Sequence, residues 1–223
     1  PTAFAISPAV RSQIAALVRI RRPDLILLTD DVYGTFVDGF RSLLAALPAN
    51  TIGVYSYSKY FGATGWRLGV IALHQDNVLD RLIAALPEAD RLALDRRYGA
   101  LATTPAEIKF IDRMVADSRD VALNHTAGLS SPQQAMMTLF SLVDLADTER
   151  TFRSAVNTLL RRRVHALLHG LGIKNEPPPL YDNYYGLVDL EVWLRKHLDP
   201  EVALFVRRNV HPLDIVFRLA RDH

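Results

Sequence analysis

The chain begins with a segment of helical hydrophobic period. Val10, Ile14 and Val18 fall on one face when this segment is wound as an α-helix. Ser7 is a residue type that favours the N-cap, and Pro8 suits the first helical position because its missing N–H has no intrahelical partner there. The pattern therefore predicts a first helix that begins at Pro8.

Three short apolar runs follow within 50 residues and predict strands. They are Leu25–Thr29, Thr51–Tyr55 and Leu68–Leu73. Short continuous apolar runs are typical of strands that are buried on both faces, as in a parallel sheet. A helix followed by such a strand is half of an α/β repeat. The predicted fold class is therefore α/β, with a mostly parallel sheet and helices on both of its faces.

The rest of the chain is predominantly helical in pattern. Helices are predicted over residues 76–86, 88–123, 133–144 and 148–168, and over 199–222 with an interruption near His211 and Pro212. Residues 184–190 alternate between polar and apolar side chains, which favours a strand. The change of pattern after Gly170 predicts a second, smaller α+β domain.

Composition and charge exclude several classes of protein. The 26 basic and 24 acidic residues leave a net charge of +2, which argues against a nucleic-acid platform. Cysteine is absent, which excludes disulfides, thiolate zinc sites and a cysteine nucleophile. No apolar run approaches the roughly 18 residues of a membrane span, and no signal-like start is present. We expect no nucleic-acid or membrane partner and a cytoplasmic location.

Three polar segments flank the predicted strands. Asp30–Tyr33 follows the first strand, Ser56–Lys59 follows the second, and Gly65–Gly69, which contains Arg67, leads into the third. Ligands of open α/β sheets gather at the carboxyl ends of strands. A lysine amine can form an imine, a carboxylate can hold a protonated pyridine nitrogen, and hydroxyls with an arginine can bind phosphate. These are the groups that pyridoxal phosphate requires.

This arrangement resembles the aspartate aminotransferase superfamily, the fold-type I pyridoxal-phosphate enzymes. The family pattern is Asp-x-x-Tyr, then Ser-x-x-Lys, then an arginine eight residues after the lysine, followed by x-Gly. The matching residues are Asp30, Tyr33, Ser56, Lys59, Arg67 and Gly69. The resemblance implies a three-layer large domain and part of a smaller α+β C-terminal domain.

The resemblance also implies a role for each matching residue. Lys59 would bind the cofactor as a Schiff base and then move protons. Asp30 would pair with the pyridinium nitrogen, and Tyr33 would donate to the phenolic oxygen of the cofactor. The phosphate would be held by Ser56, Ser58 and Arg67.

A division of the chain follows from the same resemblance. Residues 1–150 would be the C-terminal part of the cofactor-binding domain, with a helical insert near 88–123. Residues 151–223 would be a long connecting helix and part of the small domain. The family's glycine-rich phosphate loop and substrate-carboxylate arginine have no counterpart here, so we expect an interior fragment. We also expect a homodimer or higher homo-oligomer, in which loop 124–130 reaches toward the partner subunit's site.

Several further segments occur in a recognisable order: the helical stretch Arg91–His125, Ser130–Gln134, Tyr184–Leu190 and the closing segment Asp214–Asp222. In the arrangement of these segments, nearly the whole chain resembles the aspartate 4-decarboxylase family. This implies L-aspartate as substrate, L-alanine and carbon dioxide as products, and aspartate transamination as a side activity. One alternative is a class I/II aminotransferase without decarboxylase activity. Another is an aminotransferase-like effector domain of a transcription regulator, which requires a DNA-binding segment outside this sequence.

Other polar residues have simpler interpretations. His165 and His169 are four residues apart on a predicted helix, but no third ligand lies nearby in sequence, so we expect no metal site. The chain has three further lysines, for which we predict ordinary solvated side chains: Lys109, Lys174 and Lys196.

Overall fold

The computed structural model describes residues 3–121, 128–173 and 178–222. The strands are β1 Leu27–Asp30, β2 Thr51–Ser56 and β3 Gly69–Leu73. The helices are α1 Pro8–Ile20, α2 Leu43–Ala46, α3 Tyr57–Tyr60, α4 Val78–Ala84, α5 Glu88–Tyr98, α6 Phe110–Val121, α7 Ser131–Ala146, α8 Thr151–Gly170, α9 Leu190–His197, α10 Pro200–Asn209 and α11 Pro212–Asp222. Most of loop 124–130 and Lys174 lie outside the described residues.

Helix α1 begins where its sequence predicts. Ser7 is extended, and its Oγ accepts a hydrogen bond from the Val10 N–H at 3.2 Å, while Pro8 occupies the first turn. The buried face of α1 presents Val18, which packs in a cluster with Leu47. Capping and the burial of one apolar stripe together explain this helix.

We expect Leu47→Ala to lower the free energy of unfolding by about 2–5 kcal/mol, the usual cost of a cavity at a buried leucine. Leu47 is 4% exposed, and its neighbours cannot fill the space fully. Chemical denaturation of the full-length protein measures the change. Leu17→Ala is the matched control because Leu17 is 47% exposed on α1. Equal destabilisation by both substitutions would contradict this account of the core.

The sheet is mixed. Strands β1 and β2 pair in parallel, with Leu27 opposite Thr51, whereas β2 and β3 pair antiparallel, with Ser56 opposite Gly69. The α/β class is confirmed, but β3 departs from the parallel pattern. A crossover between parallel neighbours usually contains a full helix that packs on the sheet. Residues 57–68 contain only one helical turn and a short 3-10 turn, so an antiparallel return results.

The strands are less buried than their apolar runs predict. Leu28 is 72% exposed and Ile71 is 46% exposed. The sheet has the order β1-β2-β3, so two of its three strands are edge strands. The expectation that the strands are buried on both faces is therefore wrong for β1 and β3, whereas every residue of β2 is buried or half-buried.

The described part of the predicted helix over 88–123, residues 88–121, is helical with an interruption. Helix α5 ends at Tyr98, and α6 does not begin until Phe110. Between them Pro105 starts a 3-10 turn. A proline lacks the N–H of a helical hydrogen bond and disfavours helical geometry in the residue before it, so one continuous helix cannot form.

The described chain divides into two compact units, residues 3–185 and 186–222. The first contains the sheet and α1 to α8, and the second contains α9 to α11. The predicted division into 1–150 and 151–223 stays a prediction about domains. None of the described helices combines the length and the hydropathy that crossing a membrane requires.

The predicted strand over residues 184–190 is wrong. Leu190 already begins α9, and Asp189 caps that helix by accepting from the Val192 N–H at 3.0 Å. The backbone N–H groups of Tyr184 and Tyr185 donate to Asp182 Oδ1 at 2.9 and 3.2 Å. A side chain thus takes the donors that a strand ladder would need, and the segment forms a turn instead.

Candidate functional site

The three polar segments meet at one edge of the sheet. Because β1 and β2 are parallel, their carboxyl ends at Asp30 and Ser56 lie at the same edge. Because β3 is antiparallel to β2, its first residue, Gly69, pairs with Ser56. Arg67 stands two residues before Gly69 and comes to this edge as well. In an all-parallel sheet, the start of β3 would lie at the opposite edge.

Of two adjacent carboxylates, Asp30 is the one available to a ligand. Asp30 is exposed, and its Oδ1 accepts from the Val32 N–H at 3.1 Å. Asp31 instead accepts from the Thr29 hydroxyl at 2.8 Å, and its N–H donates to the Val54 carbonyl at 2.9 Å. Asp31 therefore stabilises the end of the strand, whereas the second oxygen of Asp30 has no hydrogen-bond partner in the part of the chain that the structure describes.

The segment after β2 forms one helical turn that carries Lys59. Ser56 caps this turn, because its Oγ accepts from the Ser58 N–H at 3.2 Å and donates to the Leu68 carbonyl at 3.2 Å. The Tyr57 N–H donates to the same carbonyl at 3.1 Å. Ser58 is 6% exposed. Lys59 is half-buried, and within the described ranges its Nζ forms no hydrogen bond or ion pair.

Aromatic packing holds this turn, helix α3, in place. Phe61 stacks on Phe140 of α7 with ring centroids 4.9 Å apart, and Tyr60 packs against Phe152 of α8 at 5.3 Å. The Tyr57 hydroxyl also hydrogen-bonds Ser141 Oγ at 2.8 Å. Burial, together with the nearby Asp144 carboxylate, raises the pKa of Tyr60 to about 12. Residues far along the chain thus determine where Lys59 stands.

Arg67 has an unusual backbone conformation. Its φ of +54° and ψ of +45° lie in the left-handed region, which few residues other than glycine adopt. Such strain costs on the order of 1–3 kcal/mol and clusters at functional sites. The side chain is exposed, and its NH1 donates to the Thr64 carbonyl at 3.4 Å. Most of the guanidinium donors therefore stay available for an anion.

Tyr33 lies in an aromatic cluster. Its hydroxyl hydrogen-bonds the hydroxyl of Tyr185, and the two ring centroids are 5.0 Å apart. The ring centroid of Tyr184 lies 5.2 Å from the centroid of the Tyr33 ring. Burial, followed by the hydrogen bond to Tyr185, raises the pKa of Tyr33 well above its usual value. Burial also raises the pKa of the Asp182 carboxyl, which holds the turn before Tyr184.

Sequence reasoning missed Tyr185. Tyr33 and Tyr185 are 152 positions apart, and no local pattern relates them. The only signal was a pair of adjacent tyrosines after an Asp-Asn pair, a residue combination that favours turns.

The predicted site residues fit pyridoxal phosphate in type. A carboxylate suits a protonated ring nitrogen, an amine suits the aldehyde carbon, and a guanidinium with hydroxyls suits the phosphate. The ion pairs among described residues include none between Asp30, Lys59 and Arg67, so these charges do not neutralise one another. The described residues contain no group of three or more side chains that could hold a metal ion.

Comparison with known proteins gives a consistent result. Residues 1–152 match the sequence model of the family "aminotransferase class I and II". The chain is 55% identical over 179 residues to a bifunctional aspartate aminotransferase and L-aspartate beta-decarboxylase from a Pseudomonas species, a match that covers 80% of this chain and 34% of that protein.

Two solved structures that align with part of the chain are of proteins from Pyrococcus. One is described as Pyrococcus protein-A1, with a TM-score of 0.37, 22% identity, and coverage of 80% of this chain and 37% of the other. The second is an aromatic aminotransferase from Pyrococcus horikoshii, with a TM-score of 0.35, 22% identity, and coverage of 77% and 37%. The chain spans about a third of the length of the relatives it matches.

The resemblance predicted from the spacing of Asp30, Lys59 and Arg67 is thus confirmed for the family. The family model covers more than half of the chain. The chain belongs to the class I and II aminotransferases, a family that depends on pyridoxal phosphate.

Proposed function

We propose that this chain is part of an enzyme that converts L-aspartate into L-alanine and carbon dioxide, with aspartate transamination as a side activity. The observation that supports this most strongly is the position of Asp30, Ser56 and Arg67 at one sheet edge. Lys59 lies in the single helical turn that Ser56 caps. The name of the Pseudomonas relative includes both activities, and its 55% identity to this chain supports the finer assignment.

Each group at the edge has a defined task in this proposal. When bound, pyridoxal phosphate acts as an electron sink, because it accepts the electron pair that is left on the substrate when one of the substrate's own bonds breaks. Asp30 would keep the proton on the pyridine nitrogen through a charge-assisted hydrogen bond. Arg67 would hold the phosphate together with Ser56, whose hydroxyl can exchange its bond to the Leu68 carbonyl for one to the phosphate.

Lys59 would have two tasks in succession. Its Nζ would hold the cofactor covalently, and after substrate has displaced it, the free amine would accept the proton from the substrate α-carbon. Packing of Tyr60 and Phe61 against α8 and α7 restrains the turn that carries Lys59, and would keep the amine in place while it is not bonded. Tyr33 would donate its hydroxyl proton to the phenolic oxygen.

Further parts of the proposal concern the whole protein. We propose a homodimer or higher homo-oligomer in the cytoplasm, in accord with the family, and the division into a cofactor-binding part at 1–150 and a small-domain part at 151–223. Sedimentation equilibrium of the full-length protein tests the oligomeric state, and a monomer at working concentration would contradict that part.

Incubation of the full-length protein with pyridoxal phosphate and L-aspartate, without a 2-oxo acid, is expected to release alanine and carbon dioxide continuously and in equal amounts. Both products are measured in the same sample. Absence of carbon dioxide, with glutamate formed once 2-oxoglutarate is added, would assign an aminotransferase without decarboxylase activity. Inactivity in both assays would overturn L-aspartate as the substrate and favour another amino-acid substrate or the regulator domain.

A further inference from the structure

We infer that Tyr185 is a positioning residue, whose hydroxyl determines the direction in which the Tyr33 hydroxyl donates its proton. The inference rests on the proposed function, because it concerns the contact of Tyr33 with the phenolic oxygen of pyridoxal phosphate. Nothing in the local sequence assigns a role to Tyr185, and the family pattern of Asp30, Tyr33 and Lys59 does not include it.

The ring of Tyr33 is held on several sides. The Tyr185 ring lies 5.0 Å away at an interplanar angle of 59°, and the Tyr184 ring lies 5.2 Å away at 55°. Phe36 is 2% exposed, and its ring centroid lies 6.4 Å from that of Tyr33. Aromatic contacts on these sides limit displacement of the whole Tyr33 ring, so its hydroxyl has a defined position.

The backbone that carries Tyr185 is equally restrained. The carboxylate of Asp182 accepts the Tyr185 N–H at 3.2 Å, and the Tyr181 hydroxyl donates to the Tyr185 carbonyl. The segment is tied to the start of the chain, because the Ala5 N–H donates to the Leu180 carbonyl at 2.9 Å. Tyr185 therefore lies in a turn that several hydrogen bonds hold in place.

A proton count then gives the role. A phenol hydroxyl has one proton to donate and two acceptor positions. Either hydroxyl can be the donor in the bond between Tyr33 and Tyr185. When Tyr33 donates to the phenolic oxygen of the cofactor, its own oxygen can accept only the proton of Tyr185, so the bond to Tyr185 keeps the Tyr33 proton in that direction. Two hydrogen bonds in series also polarise each other, so the donation from Tyr33 becomes stronger.

The surroundings of Tyr33 keep its hydroxyl protonated. The titratable groups whose charge acts on Tyr33 are Tyr184, Tyr185 and Asp30, and each of them raises the pKa of Tyr33. Burial is the largest cause of that rise. Tyr33 therefore stays protonated through the neutral range and remains a donor.

The test is a pH titration of the visible absorption of pyridoxal phosphate bound to the full-length protein. In Tyr185→Phe, weaker donation from Tyr33 leaves the phenolic oxygen more basic. We expect the titration midpoint to rise by about half a unit to one unit, the effect of one hydrogen bond. Cofactor dissociation should become about threefold to tenfold more favourable. Partial unfolding lowers the amplitude of the titration and leaves its midpoint unchanged.

Tyr184→Phe is the matched control, since Tyr184 contacts the Tyr33 ring without a hydrogen bond to its hydroxyl. Its midpoint should stay at the wild-type value. In a Tyr33→Phe background, Tyr185→Phe should add nothing, because Tyr185 acts through Tyr33. A wild-type midpoint in Tyr185→Phe would overturn the inference and leave the proposed function intact. Failure of the wild-type protein to bind the cofactor would overturn both.

Discussion

Lys59→Ala is expected to reduce L-aspartate turnover by the full-length protein to the background rate. The substitution removes both the amine that would hold the cofactor and the base that would accept the α-proton. General acid–base catalysis alone contributes about 10²–10⁴-fold, so we expect a loss on the order of 10⁴-fold or more. Borohydride reduction followed by peptide mass mapping provides a second readout. It should place a pyridoxyl group on Lys59 in the wild-type protein and on no peptide of the variant.

Lys196→Ala is the control for this substitution. Lys196 lies exposed in the last turn of α9, outside the unit that contains the sheet. It should keep wild-type turnover and wild-type labelling. Full activity of Lys59→Ala, or a pyridoxyl group on another lysine, would show that Lys59 is not the residue that binds the cofactor.

Asp30→Asn is expected to lower turnover by about 10²-fold while the cofactor stays bound. Asparagine keeps an oxygen that can accept from the Val32 N–H, so the turn after β1 is preserved. The substitution removes the charge that would hold the proton on the pyridine nitrogen. A hydrogen bond to a charged group contributes about 1.5–3 kcal/mol, which corresponds to this loss in rate. Steady-state kinetics and the absorption of bound cofactor measure the two effects separately.

Asp31→Asn is the matched control, one residue further along the chain. The Asp31 carboxylate accepts from the Thr29 hydroxyl at 2.8 Å, and an asparagine oxygen can do the same. We expect a change in turnover of less than about threefold, the scale of a weakened neutral hydrogen bond. A larger loss from Asp31→Asn than from Asp30→Asn would reverse the roles that we assign to the two carboxylates.

Much of the local structure could be predicted from the sequence. Ser7 and Pro8 begin α1 as expected, and the three apolar runs overlap all three strands. Helix capping depends on residues within one turn, and a short apolar run indicates a strand by itself. Both features can therefore be identified without knowledge of the fold. The same holds for Asp30 and Lys59, whose positions after strands were visible in the order of segments alone.

The sequence alone could not show whether residues 184–190 form a strand or a turn that is capped by side chains. Residues 184–190 alternate like a strand, yet Asp182 takes the backbone donors of Tyr184 and Tyr185, and Asp189 caps α9. Both outcomes are compatible with the local pattern, because the choice depends on whether a neighbouring strand is present to accept those donors.

The sequence by itself determined the residue types of the candidate site and their order along the chain. Only the tertiary structure decided that they meet. The antiparallel return of β3 brings Arg67 to the edge where Ser56 ends β2, and the turn at Asp182 brings Tyr185 to Tyr33. Strand direction and contacts across 152 positions arise from long-range packing and hydrogen bonding, which local periodicity does not encode.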